Sequence, residues 1–136
     1  MTIEAALYTY LSTHAGLSAL IGTRIYPITI AQGAAMPAIA YQLIDDLPVH
    51  SGIADVKVHA ARFQFSCFGG GTSEYTSACA VAAQVKSALQ DYTGVMGGAG
   101  GVTVQRSFLE NSTDLYDETM NRCGRAVDFI IWHEGS

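Results

Sequence analysis

The 136 residues predict an α+β fold: an antiparallel-dominated or mixed sheet with two main helices packed on one face, in a single domain spanning 1–136. Two observations carry this. Apolar residues recur at helical spacing near the N-terminus and again before Leu89, and they alternate with polar ones at period two in 58–68. The order then reads helix, three extended pieces, helix, two strands, and strand runs split by one long helix characterise this class. The length suits one domain with a core of its own.

Thr2 is placed to cap a first helix whose Ile3, Leu7, Tyr10 and Leu11 share a face. Gly16 interrupts it, and "LSALIG" (17–22) adds a helical turn closed by Gly22. "RIYP" (24–27) is a short extended piece and "AQGAAMP" (31–37) a loop. "AIAYQLID" (38–45) reads as a strand, followed by a turn-rich insert, "DLPVHSGIADV" (46–56). In "VHAARFQFSCF" (58–68), Ala61, Phe63, Phe65 and Cys67 point one way and Arg62, Gln64 and Ser66 the other, the pattern of a half-buried antiparallel strand. Thr72 or Ser73 caps the second main helix, which runs to about Leu89. Its stripe of Ala78, Val81, Ala82, Val85, Ala88 and Leu89 is small enough to pack closely on a sheet. "TGVMGGAGG" (93–101) reads as a flexible connector. "VTVQRSFL" (102–109) and "RAVDFIIW" (125–132) are the last strands, joined by an acidic, turn-like 110–121.

Charged residues make up only 14% of the chain, against roughly 25% in typical globular proteins. A small monomer needs a well-charged surface, so this deficit predicts a subunit whose surface is partly covered by other subunits. The net charge of −5 and the scattering of seven basic residues argue against general nucleic-acid binding. Three cysteines, widely spaced and without a CxxC, read as reduced small hydrophobes. The N-terminus, with Glu4 among polar residues, predicts no signal peptide, and no run of 18 apolar residues predicts a membrane span.

Chemical motifs are absent. "SCFGGGTSEY" (66–75) sits between a strand and a helix, where nucleotide-binding chains place a phosphate loop. A P-loop needs GxxxxGK[ST], yet no Lys lies between Lys57 and Lys86. A GxGxxG reading from Gly69 puts Glu74 at its third glycine, and a carboxylate in the helix's first turn repels phosphate. The glycines read as a hinge that lets the helix fold back, with Gly70 or Gly71 the positions expected to need a positive φ. The four histidines show no ligand spacing, and Glu110, Asp114, Asp117 and Glu118 lack the order of a calcium loop. No catalytic, cofactor or metal residues are expected.

"YTYLSTHAGLSALIGTRIYP" followed by "AQGAAMPAIAYQLID" resembles the opening of the tail-terminator, or tail-completion, proteins of long-tailed bacteriophages. The aromatic strand "RFQFSCF", the small-residue helix "YTSACAVAAQVKSAL" and the closing strand "RAVDFIIW" follow in the order of that family. The resemblance implies a non-catalytic virion protein, made in the bacterial cytoplasm and placed at the head-proximal end of the tail. It would form a homo-oligomeric ring, commonly a hexamer, that caps the tail tube, halts polymerisation of the tube protein and meets the head–tail connector or stopper. DNA would only pass through it, and no membrane is involved. The alternatives are another joint component, a stopper or adaptor, or a small cytoplasmic α+β binding domain. Two long acidic connections are the expected interaction loops: 46–57 with its flank (Asp45, Asp46, His50, Asp55, Lys57) and 110–121 (Glu110, Asp114, Asp117, Glu118).

Overall fold

The computed structural model describes residues 2–30, 33–49, 58–70, 72–118 and 121–134. Helix α1 (Ile3–Thr13) starts where Thr2 accepts a hydrogen bond from the amide of Ala5, and it ends at His14. His14 then caps α2 (Ala15–Ile21) through its side chain, so the break falls there and Gly16 lies inside the second helix. Gly22, at φ 59°, closes α2 in a conformation that costs glycine little. Strands β1 (Ile25–Pro27), β2 (Ala38–Val49) and β3 (Val58–Phe68) follow, then α3 (Glu74–Leu89), β4 (Gly94–Met96), β5 (Val102–Asp117) and β6 (Arg122–Glu134).

The sheet runs β1-β2-β3-β6-β5-β4. Every pairing is antiparallel except β1 with β2, so the sheet is mixed. Cross-strand register explains the core. Ile39 stands beside Cys67 and Tyr41 beside Phe65, while Phe63 stands beside Phe129 and Phe65 beside Val127. These side chains project to one face, where buried residues of all three helices meet them. The α3 stripe expected from periodicity is buried throughout. Phe65 meets Phe129 edge-on at 6.3 Å between centroids, an arrangement aromatic rings favour. Cys67 is sealed in this layer, and burial pushes its thiol up to about 12.

Four expectations are corrected. Residues 93–101 are not only a connector, because Gly94–Met96 pairs with Val102–Val104 as β4. Residues 46–49 belong to β2, and 50–57, with His50, Asp55 and Lys57, lie outside the described residues. Residues Glu110 to Asp117 belong to strand β5, so most of the supposed 110–121 loop is strand. Ladder hydrogen bonds to β6 override the weak strand propensity of "ENSTD". Gly70 does not take a positive φ. A Cβ there would instead lie 2.8 Å from the backbone of Met36, so close approach explains the glycine. Gly71 lies outside the described residues. Ser73 occupies the cap position of α3 without a side-chain cap bond.

Candidate functional site

The described parts of the two acidic segments are strand arms at opposite ends of the sheet. Asp46 of β2 stands beside Ala61 of β3, which stands beside Ile131 of β6, whereas Asp114 of β5 stands beside Arg125 of β6. Six residues of β6 separate these levels, roughly 20 Å along a strand. The structure therefore does not bring the two candidate segments together.

The first arm is the outer half of β2. β1 pairs only as far as Tyr41, and beyond it β2 has a ladder partner on the β3 side alone among the described residues. A bulge between Leu43 and Asp45 shifts the register there. The shift sends Asp45 to the open face beside Arg62, and Asp46 to the helix face. Leu43, Ile44 and Leu47 are exposed along this stretch, Leu47 to 61%. Asp46 Oδ1 lies 3.3 Å from His59 Nδ1 and 4.0 Å from Nε2 of the fully buried His133. Burial holds the His133 imidazole below its ordinary pKa.

The second arm is the outer part of β5. Asp114 accepts from Arg125 Nε and Nη2 at 3.1 and 3.0 Å, and Tyr75 of α3 donates its hydroxyl to both carboxylate oxygens. Arg125 also donates to that hydroxyl at 2.8 Å. The bond to Asp114 raises the pKa values of both Arg125 and Tyr75. Asp114 is thus a brace between β5, β6 and the first turn of α3. Asp117 stands opposite Arg122 in the ladder, while Glu110 and Glu118 are exposed.

The glycine loop and the start of α3 are tied to β6. Arg122 Nη1 donates to the carbonyl of Gly69 at 3.1 Å and to Glu74 Oε2 at 3.3 Å, and the amide of Cys123 donates to Glu74 Oε1. The first turn of α3 is thereby filled by the chain's own β6.

On the face away from the helices, Arg62 donates to Asp128 at 2.8 Å. The Asp128 side chain is only 8% exposed, and this bond raises the pKa of Arg62. At one end of that face a groove of about 360 Å³ has Ala40, Ser66 and Phe68 at its base. Ile28 and Tyr116 flank it. Its lining is mainly apolar, and Ile28 is 70% exposed with φ at 65°, a conformation uncommon for a β-branched residue. Nothing in the sequence signals that conformation. Among the described residues no group of three His, Cys, Asp or Glu is arranged to hold a metal, and no helix is long and apolar enough to cross a membrane.

Braced strand arms, exposed aliphatics and a shallow apolar groove are features of a structural subunit that meets other proteins. The chain belongs to the tail completion protein gp17 family, whose model matches residues 5–134. It is a structural component of a phage or phage-like virion. Its fold is similar to a chain of a solved structure titled "Virion of native gene transfer agent (GTA) particle". That chain is 22% identical, and the match covers 98% of this chain and 95% of that one at a TM-score of 0.73. No curated protein sequence matches the chain.

Proposed function

We propose that the chain is the subunit of a ring, hexameric as is common in its family, that caps the tail tube. There it ends tube polymerisation and joins tail to head connector. Family membership over 5–134 carries this reading. Two further observations support it: the low charge content, and the exposed Leu43, Ile44 and Leu47 on a stretch of β2 paired on one side alone among the described residues. Its partners are further copies of itself, the tube protein and the connector or stopper, with DNA only in transit.

Light scattering over a range of concentrations is expected to show a multi-subunit particle, and mixing with unfinished tubes is expected to stop their growth. A protein that leaves tubes growing but binds filled heads would be a stopper or adaptor instead.

In this reading the 46–57 segment with its flank (Asp45, Asp46, His50, Asp55 and Lys57) faces the channel. Its carboxylates repel phosphate and let DNA pass unheld. The arm with Glu110, Asp114, Asp117 and Glu118 meets a neighbouring protein. Asp114, already held by Arg125 and Tyr75, acts there by fixing the arm's shape. Reversing Asp46 and Asp55 to lysine is expected to slow DNA ejection or block assembly. Normal assembly and ejection at the usual rate would remove the channel role.

A further inference from the structure

Three side chains from three adjacent strands meet at the root of the first arm: Asp46 of β2, His59 of β3 and His133 of β6. His133 is fully buried, and neither ring nitrogen makes a well-formed hydrogen bond to a described residue, although the backbone of Glu134 acts on it. Buried polar groups are nearly always paired, so an imidazole this weakly satisfied calls for a reason. The His59 ring stacks on it, 5.4 Å away and within 13° of parallel. One carboxylate therefore serves two imidazoles.

We infer that Asp46, His59 and His133 form an acid-opened clasp, which holds the outer half of β2 against the body and releases it when the buried His133 is protonated.

His59 Nδ1 lies 3.3 Å from Asp46 Oδ1; the two side chains are 28% and 36% exposed, although Nδ1 itself is buried. A proton on His133 is poorly accommodated. It falls on a buried ring that lies 4.0 Å from a carboxylate shared with His59 and is stacked on the His59 ring. Glu4 of α1 and the backbone of Glu134 draw that proton in weakly, while Val104, the β5 neighbour of His133, brings no charge. Burial is the largest influence on His133 and lowers its pKa. Asp46 opposes this and His59 adds to it.

The sign follows. A freed His133 protonates near its ordinary value of 6.5, and the clasped one only at lower pH. The clasp is intact above that value and is lost as pH falls below it. The strand that yields is β2, because β6 lies between two ladder partners and β2 beyond Tyr41 has one.

The clasp is a property of the single chain and does not rest on the ring. Hydrogen exchange by NMR on the full chain tests it. After correction for intrinsic rates, exchange at the amides of Ile44–Leu47 is expected to rise about tenfold or more from about pH 7 to about pH 5, while Phe63 and Phe129 stay protected. His133→Leu should abolish the rise. Asp46→Asn should keep it and quicken exchange throughout the acid range. An acid-independent native arm, or a His133→Leu chain with the native rise, would overturn the clasp. Should His133→Leu fail to fold, ring-proton titration of native His133 decides. A value at or above 6.5 ends the idea, and a lower value whose titration coincides with arm exchange sustains it.

Discussion

Alanine at Phe65 is expected to lower stability by about 3–5 kcal/mol, the usual cost of removing a buried phenyl ring. Phe65 is fully buried at the centre of the sheet, with Tyr41 and Val127 as register neighbours and the Phe129 ring edge-on to it. Helix α3 packs over this layer with small side chains, Ala78 and Ala82 among them, which cannot swell into the space left behind. The cavity term therefore adds to the lost transfer energy instead of being relieved by repacking. Against a total of roughly 5–15 kcal/mol, such a loss brings the chain to the edge of unfolding. A urea titration should show the midpoint falling sharply with its slope unchanged. A shift no larger than that of an exposed substitution would mean the helix layer sits elsewhere.

Gly69→Ala is the second large expected effect, and its cause is the opposite of a cavity. An added methyl would sit 1.8 Å from the carbonyl oxygen of Glu74 and 2.7 Å from the amide nitrogen of Ala78. Both are backbone atoms of α3, so no rotamer change relieves the clash and the helix start has to move. Overpacking costs typically 1–3 kcal/mol, and a backbone-on-backbone contact belongs at or above the top of that range, about 3 kcal/mol. Displacement also pulls Glu74 from Arg122 and from the amide of Cys123, and it removes the Gly69 carbonyl from Arg122. Thermal unfolding should show the loss, and the amide of Cys123 should lose protection even in the folded variant. Unchanged protection there would show that the helix start had not moved.

These two positions also show what sequence reasoning can reach. Phe63, Phe65 and the α3 stripe were legible because burial imposes a period, two in a strand and 3.6 in a helix, and the residues obey it. That the glycine loop joins a strand to a helix was legible as well, though not why its positions must be glycine. Close approach depends on which backbone lies opposite, here Met36 and Glu74, and that is fixed only by the tertiary fold. The outer part of β5 was missed because Asn111, Ser112, Thr113 and Asp114 are turn formers by local preference. A signal was nonetheless present. Asp114 and Asp117 precede the turn, Arg122 and Arg125 follow it, and the equal spacing pairs Asp117 with Arg122 and Asp114 with Arg125 across a hairpin. The clasp left no such trace, since Asp46, His59 and His133 are far apart in the chain and are united only by ladder register.

The half-open edge of β2 bears on how a free subunit survives before assembly. A long exposed strand with apolar side chains is a template for unwanted pairing. This one is not indifferent to what lies beside it. Pro48 offers no amide, the bulge after Leu43 breaks the spacing a second strand would need, and Asp45 and Asp46 sit in the middle. Two copies of β2 laid antiparallel would bring those carboxylates against each other in the desolvated seam, whereas a strand bearing lysine or arginine would neutralise them. These features make antiparallel pairing of two β2 edges unfavourable, which lowers the risk of unwanted edge-to-edge association.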